Sequence, residues 1–384
     1  MRVVGMLSGT SVDGLDVAVA DLTIGTDDVA TLRPVHAETV ALPRDVRRAA
    51  LAVLPPATTT AGELCRLDTE FGRFCGTVAA AAVREHGGEL VASLGQTVFH
   101  WIEDGAARGT MQVGQPAWIA EATGLPVVSD LRARDVAAGG HGAPLASTLD
   151  ALWLHGPERR AALNLGGIAN LTVVGGDGAA VLAYDTGPAN CLLDVVADRA
   201  AIREGFDVDG RLAAAGRVDE DLLDRLLAEP YFAQDPPKST GRELFTADWL
   251  DRAIDGREID QHDLAATLVE LTARTVAAAC RAHDVTAVVG SGGGMRNPVL
   301  TRRLGALLAP APLRSTDELG LPADAKEAYL VALLGWLTWH GVPGVVPGGT
   351  GSRTPRVLGR ITPGDRPLRL PEPLARVTGL VMAR

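Results

Sequence analysis

The chain opens with a short apolar segment that is followed by an alternating run. Residues 3–6 are apolar, and residues 15–22 form a run of apolar and polar positions. Alternation with a period of two is typical of a β-strand. The segment between them, residues 7–14, is rich in glycine, serine and aspartate. The pattern predicts a β-hairpin whose tight turn carries small hydroxyl and carboxylate side chains.

The same design returns in the second half of the chain. A strand, a glycine-containing turn and two further strands are predicted there, and the last strand is expected to end at Asp185. Two similar hairpins about half a chain apart indicate a duplicated fold. The predicted elements are strands at 161–165, 171–174 and 181–184, turns at 166–170 and at Asp177-Gly178, and a third glycine-rich turn at 290–294 after the apolar residues 287–289.

Amphipathic helices separate these strands, which indicates an α/β architecture. Thr60 and Glu63 have the spacing of a capping box ahead of an apolar stripe. Asn297-Pro298 supplies an N-cap and a first-turn proline for a second helix. We assign the aliphatic stripes of these helices to the core and give them no other function.

Composition excludes several classes of protein. A formal net charge of −11 and an aromatic content of 4% argue against a nucleic-acid partner. The four cysteines are widely spaced and predict no disulfide framework. No signal peptide precedes the first strand, and no apolar stretch has the length of a membrane span. We therefore expect a cytoplasmic protein without a membrane partner.

Familiar catalytic motifs are absent from the sequence. The candidates for binding and catalysis are therefore the glycine-rich turns and the carboxylates near them. There is no GxxxxGK[ST], GxGxxG, GxSxG or HExxH sequence, and the histidines are scattered. Gly9, Thr10 and Ser11 offer the close backbone approach and the hydroxyls that a phosphate needs. Asp13 and Asp16 could hold a hydrated Mg²⁺. The alternative is a tight hairpin turn with no ligand.

Asp185 is the strongest candidate for catalysis. A carboxylate at a strand end can project into a site and accept a proton from a nucleophile. The alternative is an aspartate that starts a turn before Gly187-Pro188. The glycine run at 290–294 has room for a flat ligand such as adenosine, although a mobile loop or a close helix approach would also explain it.

The sequence resembles the anhydro-N-acetylmuramic acid kinase family along essentially its whole length. The matching motifs occur in family order, and they are GMLSGTSVDGLD at 5–16, GQTVFH at 95–100, SDLRARDVAAGG at 129–140, GAPL at 142–145, NLGGIAN at 164–170, DTGP at 185–188, PPKSTGRE at 236–243, the glycine run with Asn297, and PRVLG at 355–359.

The resemblance implies an α/β fold of two duplicated RNase-H-like domains, of the actin/hexokinase/Hsp70 type, around a central nucleotide cleft. We expect an N-terminal lobe at 1–130, to which the last helix could return, and a C-terminal lobe at 131–384 with sugar-binding insertions. The implied reaction uses ATP, Mg²⁺ and water to convert 1,6-anhydro-N-acetylmuramic acid into N-acetylmuramic acid 6-phosphate and ADP in peptidoglycan recycling.

Residue roles follow from the same resemblance. Asp185 is the expected general base, and the motif around Lys238 is expected to face the sugar or to assist domain closure. The expected nucleotide-binding residues are Gly9, Thr10, Ser11, Val12, Asp13, Gly14, Leu15, Asp16, Gly166, Gly167, Asn170, Gly292, Gly293 and Gly294. The expected sugar-binding residues are Gln96, Thr97, Arg132, Asp135 and Glu327. Asp13 and Asp16 would contact Mg²⁺ through water.

Three positions depart from the family pattern: Leu94 replaces a usual histidine, His141 a glutamine and Ala189 a glycine. Leu94 puts fine sugar contacts in question. The alternatives are therefore a kinase for another anhydro sugar or for a hexose, and a nucleotide-binding regulator without catalysis. The sequence does not determine the oligomeric state, for which a homodimer is one alternative.

Overall fold

The computed structural model describes residues 1–9, 11–176, 180–236, 238–241, 243–346, 348–352 and 354–383. The chain divides into two compact units. Unit 1 comprises Met1–His155 and Gly320–Arg384, and unit 2 comprises Gly156–Leu319. The turn predicted at Asp177-Gly178 lies outside the described residues.

Unit 1 contains an eight-stranded sheet flanked by helices. Its strands are β1 (Arg2–Ser8), β2 (Gly14–Ile24), β3 (Val29–Ala41), β4 (Leu90–Glu103), β5 (Ala106–Val113), β6 (Val127–Ser129), β12 (Arg360–Thr362) and β13 (Gly379–Met382). Its helices are α1 (Arg44–Ala52), α2 (Ala61–His86), α3 (Pro116–Thr123), α4 (Ala133–Ala137), α5 (Ala146–Trp153) and α12 (Lys326–Trp339). The sheet order is β12-β6-β4-β1-β2-β3-β13, and β5 pairs with β4.

Unit 2 contains a five-stranded sheet with the order β11-β10-β7-β8-β9. Its strands are β7 (Arg160–Leu165), β8 (Ile168–Val174), β9 (Leu182–Pro188), β10 (Ala287–Ser291) and β11 (Leu313–Ser315). Its helices are α6 (Asn190–Arg199), α7 (Arg211–Ala215), α8 (Glu220–Leu227), α9 (Ala247–Ile254), α10 (Gln261–Ala282) and α11 (Pro298–Leu308).

The two sheets repeat one topology. In unit 1, β1, β2 and β3 form an antiparallel meander, β4 runs parallel to β1, and β6 runs parallel to β4. In unit 2, β7, β8 and β9 form the meander, β10 runs parallel to β7, and β11 runs parallel to β10. The prediction of a duplicated RNase-H-like fold is confirmed.

Both predicted helix starts are present. Thr60 and Glu63 form a complete capping box at the start of α2. The Asn297 side chain accepts hydrogen bonds from Val299 N and Leu300 N at the start of α11, with Pro298 in the first turn. Caps depend on a few neighbouring residues, so local sequence is sufficient to predict them.

The division into units differs from the expected boundary after residue 130. Residues 131–155 belong to unit 1 because α5 packs there: Thr148 Oγ1 donates to Gly344 O at 2.8 Å, and Asp150 pairs with Lys326 at 2.7 Å. Helix α12 also lies in unit 1. These contacts join segments far apart in sequence, which no local pattern reveals.

Two strand boundaries were predicted wrongly in unit 2. Strand β8 begins at Ile168, so the turn at 166–170 shrinks to two glycines and Asn170 lies inside the strand. Strand β9 continues to Pro188, so Asp185 lies within the strand instead of at its end. The two residues are register partners on β8 and β9, beside an irregularity between Ala169 and Asn170. That irregularity re-aims side chains at this point of the sheet.

Candidate active site

The turn between β1 and β2 has an unusual backbone. Val12 has a φ of +53°, and its side chain is fully buried in the core. Positive φ is a true outlier for a β-branched residue, and such outliers concentrate at ligand-binding and catalytic sites. Val12 N donates to Gly9 O at 3.2 Å, and Arg47 Nε donates to Val12 O at 2.9 Å. The surrounding contacts thus hold the turn in this form.

Only part of this turn has side chains available to a ligand. Val12 and Leu15 point into the core, so only their backbone could meet a phosphate. Ser11 Oγ donates to Asp13 Oδ1 at 2.8 Å, and both side chains are exposed. Thr10 lies outside the described residues.

Asp16 lies at the start of β2 in an acidic environment. Thr39 Oγ1 donates to its Oδ1 at 2.6 Å. Burial raises the pKa of Asp16, the Thr39 hydrogen bond opposes this, and the charges of Asp13 and Asp324 raise the pKa further. A bound cation would relieve this repulsion, so the residues fit a hydrated Mg²⁺ held by one or two carboxylates. Across the described ranges, no cluster of three or more acidic, histidine or cysteine side chains could hold a metal alone.

A second polar group of unit 1 is built around Arg132, which directly precedes α4. Arg132 Nη1 donates to Gly142 O at 2.7 Å, whereas its buried Nε has no hydrogen-bond partner in the protein. Burial lowers the pKa of Arg132, and Glu327 opposes that effect. Burial and the Arg132 charge also lower the pKa of His100, whose buried Nδ1 has no partner. The unmet donor on Arg132 is suited to an anionic or carbonyl ligand group.

Glu327 lies in the first turn of α12 and keeps contact with solvent. Surrounding protein atoms nevertheless remove much of its hydration, and this desolvation raises the pKa of Glu327. The charge of Arg132 lowers that pKa and the charge of Asp16 raises it. The charges of Arg132 and Asp16 thus both act on the Glu327 carboxyl, in opposite directions.

Gln96 and Thr97 lie on β4. Gln96 is 1% exposed, its Nε2 donates to Thr97 O at 3.0 Å, and its Oε1 is buried without a partner. Thr97 Oγ1 accepts from Gln112 Nε2 at 3.3 Å. Leu94, at the position where the family usually has a histidine, is buried in the core of unit 1.

Asp135 corrects the expectation that this residue faces the sugar. Its side chain is 0% exposed, Oδ2 accepts from Gly142 N at 2.7 Å, and Oδ1 accepts from Thr350 Oγ1 at 2.9 Å. A residue with both oxygens engaged inside the protein is not open to a ligand. Asp135 instead holds the loop whose Gly142 carbonyl meets Arg132.

The Asp185 carboxylate of unit 2 accepts hydrogen bonds from three different residues. Its Oδ1 accepts from Asn170 Nδ2 at 2.9 Å, and its Oδ2 accepts from Ser239 Oγ and Thr240 N, each at 2.9 Å. The side chain is half-buried. Three donors stabilise the anion and fix the direction of its remaining lone pairs.

Tyr231 and Lys238 secure the backbone beneath Asp185. Tyr231 Oη donates to Asp185 O at 2.7 Å, and Asp185 N donates to Lys238 O at 3.2 Å. Lys238 Nζ donates to the carbonyls of Tyr231 and Phe232 at 3.0 and 3.2 Å, and burial lowers the pKa of Lys238. The Lys238 motif thus wraps around Asp185, although its Arg242 lies outside the described residues.

The glycine turns of unit 2 differ in what they leave accessible. The carbonyls of Gly166 and Gly167 accept from the first N–H groups of α6 and the residue before it, so this turn caps that helix. Gly292 has a φ of +86°, and a Cβ there would lie 2.6 Å from Asn164 Oδ1. A Cβ on Gly294 would lie 2.7 Å from Leu165 Cβ, whereas Gly293 has open space around it. Gly293 is therefore the glycine of this run that offers free backbone to a flat ligand.

Sequence reasoning missed three contributors to these groups. It left His100 among the scattered histidines, placed Asn170 in a nucleotide turn, and gave Ser239 no contact with Asp185. Asn170 and Ser239 meet Asp185 across 15 and 54 residues of chain. The one available signal was the occurrence of all three residues within the quoted family motifs.

Ala189 is one departure from the family pattern. Its φ is −120°, so this position does not have the left-handed conformation that favours glycine. Within the described ranges, no helix is both long and apolar enough to cross a membrane.

The repeated topology of the two sheets, an antiparallel meander followed by two parallel strands, is that of the actin/hexokinase fold class. The comparisons narrow this class. A family model described as anhydro-N-acetylmuramic acid kinase matches residues 1–364.

Curated relatives carry the same name. The chain is 53% identical to the anhydro-N-acetylmuramic acid kinase of Streptomyces coelicolor, covering 97% of this chain and 96% of the relative. It is 51% identical to that of Rhodococcus erythropolis, covering 96% of each, and 40% identical to that of a Cyanothece species, covering 94% and 99%. The chain belongs to the anhydro-N-acetylmuramic acid kinase family and is a phosphotransferase.

Proposed function

We propose that this kinase uses ATP and water to convert 1,6-anhydro-N-acetylmuramic acid into N-acetylmuramic acid 6-phosphate and ADP, as part of peptidoglycan recycling. The observation that carries the proposal is the Asp185 carboxylate, which three donors hold in place on β9 within a motif of this family. Such a group is a suitable base for activating water.

The reaction combines two bond changes. Because O6 of the substrate is tied in the 1,6-anhydro ring, it is no free acceptor for a phosphoryl group. Water attacks C1, the C1–O6 bond breaks, and O6 takes the γ-phosphoryl group of ATP while ADP leaves. One proton of the water passes to Asp185, and the oxygen of that water becomes the new hydroxyl on C1.

Asp185 is the proposed general base. Oδ2 already has two donors, Ser239 Oγ and Thr240 N, whereas Oδ1 has one, Asn170 Nδ2. A carboxylate oxygen has two lone pairs, so Oδ1 is the oxygen with room for the water. Asn170 and Ser239 are positioning residues, because they set the direction of the carboxylate.

The turn between β1 and β2 is the proposed phosphate site. Gly9 and Ser11 would present backbone N–H groups and a hydroxyl to the phosphates. Asp13 and Asp16 would hold Mg²⁺ through water, and the ion when bound supplies positive charge opposite the β- and γ-phosphate oxygens. The positive φ of Val12 supports this assignment. Such strained backbone angles in residues other than glycine concentrate at ligand-binding and catalytic sites.

Arg132 and Glu327 are the proposed contacts to the sugar. The buried Nε of Arg132 has no partner in the protein, and it would donate a hydrogen bond to the lactyl carboxylate of the substrate. An arginine side chain can bind both oxygens of a carboxylate at once. Glu327, whose pKa is raised, would direct a hydrogen bond to a sugar oxygen or to the attacking water. Gln96 and Thr97 are proposed to complete the sugar site, and Gly293 to lie against the adenosine.

ADP release measured with different sugars tests the proposal. We expect turnover with 1,6-anhydro-N-acetylmuramic acid to exceed turnover with levoglucosan and with glucose by at least about 10²-fold, because the latter two lack the carboxylate that Arg132 would bind. Equal or faster turnover with either sugar would overturn the substrate assignment. ADP release with none of the three, despite ATP binding, would favour a regulator without catalysis.

A further inference from the structure

A cavity of about 480 Å³ lies in unit 1, next to the residues proposed to bind the substrate sugar. Its walls come from the first half of β4, the end of β6, the second half of β5 and the beginning of α2. Its lining includes none of the proposed sugar-site residues Gln96, Thr97, Arg132 and Glu327. The volume falls in the range of small-molecule pockets.

Two buried serines define the polar wall of the cavity. Ser93 on β4 and Ser129 on β6 are register partners on neighbouring parallel strands, so both side chains project from the same face of the sheet. They are 2% and 5% exposed, and neither hydroxyl has a hydrogen-bond partner in the protein. Leaving a buried hydroxyl unpaired destabilises a fold. Two adjacent cases on a cavity wall indicate a ligand that pairs with both.

Gln112 and Asp68 supply acceptors to the same space. Gln112 Nε2 donates to Thr110 Oγ1 at 2.7 Å and to Thr97 Oγ1 at 3.3 Å, which fixes the amide. Its buried Oε1 has no partner in the protein. Asp68 Oδ1 accepts from Gly114 N at 2.7 Å, which holds the carboxylate at the wall. Both side chains therefore present fixed oxygen atoms to a ligand.

The charge of the lining selects against anions. Asp68 and Asp130 carry negative charge, and Arg360 is the basic side chain of the lining. Arg360 is mostly exposed, and its Nε lies 3.7 Å from Asp130 Oδ2. A phosphate or carboxylate would thus meet carboxylates without a buried cation to compensate them. Groups that both donate and accept hydrogen bonds, such as alcohols, match the two serines and the two acceptors.

The remaining wall is apolar. Leu64, Met111 and Pro116 are among the residues that form it. A pyranose ring has the matching character, with C–H groups on its faces and hydroxyls around its edge. We propose that this cavity, whose lining includes Ser93, Ser129, Gln112 and Asp68, is a second saccharide site that binds one uncharged monosaccharide independently of the substrate sugar.

Calorimetric titration of the full chain with methyl β-D-glucopyranoside tests this proposal, with and without saturating 1,6-anhydro-N-acetylmuramic acid. We expect one site with the same affinity in both conditions, and binding of glucose 6-phosphate at least about tenfold weaker because of its charge. The titration contains no ATP, so its result is separate from whether the proposed reaction occurs.

Three variants locate the binding. Ser93→Ala and Ser129→Ala should each weaken glucoside binding roughly three- to tenfold, the loss of one hydrogen bond, while thermal stability stays equal or rises. Ser147→Ala is the matched control: Ser147 is a buried serine of unit 1 whose Oγ donates to Pro144 O at 2.9 Å, so its loss should lower stability and leave glucoside binding unchanged.

Three results would overturn the second site. The first is no binding of the glucoside, in which case water alone pairs with the serines. The second is binding that the anhydro sugar abolishes, which would make the cavity part of the substrate site. The third is binding that neither Ser93→Ala nor Ser129→Ala weakens.

Discussion

Two carboxylates, one in each unit, lie in opposite surroundings. Asp185 of unit 2 accepts three hydrogen bonds at 2.9 Å from a side-chain amide, a hydroxyl and a backbone N–H group. Glu327 of unit 1 lies near Arg132 and Asp16, and desolvation raises its pKa. Hydrogen-bond donors thus surround Asp185, whereas Glu327 interacts mainly with other charged groups.

The difference indicates a division of roles. The three donors fix the direction of the Asp185 carboxylate, as its proposed role as a base that takes a proton from water requires. A raised pKa suits Glu327 to hold or share a proton with a sugar oxygen.

Asp185→Asn should have the largest effect, because it removes the base while keeping the shape of the side chain. We expect turnover to fall about 10³- to 10⁴-fold with ATP affinity preserved. ADP release and ATP titration measure the two quantities. Turnover equal to that of the wild type would remove Asp185 from its proposed role.

Arg132→Lys should rank second. Lysine cannot reproduce the fork of donors that would meet a carboxylate, nor hold Gly142 O in the same way. We expect KM for the sugar to rise roughly 10- to 100-fold, with a smaller change in kcat and none in KM for ATP. Arg134→Lys, an exposed position on the following helix α4, is the control. A similar KM increase in the control would contradict the assignment.

Ser239→Ala should have a smaller effect on the reaction. It removes one of the three donors to Asp185, so kcat should fall about tenfold with little change in KM. Ser239→Thr keeps the hydroxyl and should restore most of the rate. Failure of the threonine variant to recover any activity would indicate a structural role instead of a positioning one.

Glu327→Gln should produce the smallest change, in the pH dependence of stability. The pKa of Glu327 is higher in the folded state than its value of 4.5 in the unfolded chain. The protonated carboxyl therefore stabilises the fold fully below pH 4.5, and this stabilisation is lost as pH rises through the folded-state pKa. The melting temperature of the variant minus that of the wild type should therefore increase by about 1–2 °C between about pH 4.5 and pH 7. A decrease over that range would contradict the direction of the pKa shift.

Sequence patterns predicted the features that depend on neighbouring residues. Short-range residue spacing is sufficient to predict three of them: the hairpin of β1 and β2, the capping box at Thr60 and the cap at Asn297. The duplicated topology followed from recognising two similar hairpins. These features need no knowledge of tertiary contacts.

The rest of the site depends on contacts between distant segments. Thr350 reaches Asp135 across 215 residues, and this contact buries a side chain that was expected to face the sugar. Ser239 reaches Asp185 across 54 residues. Asn170 pairs with Asp185 across β8 and β9 beside an irregularity in the strand register, and hydrophobic periodicity carries no signal for that irregularity.

The fate of a solvent oxygen tests the central claim, which is that Asp185 activates water to open the anhydro ring as O6 is phosphorylated. The reaction is run in isotopically labelled water, and the mass of the product is measured by mass spectrometry. Preformed product incubated in the same water is the control for exchange of oxygen with the solvent. The account predicts one phosphoryl group and one labelled oxygen, bound at C1. A phosphorylated product that gains no solvent oxygen would contradict it.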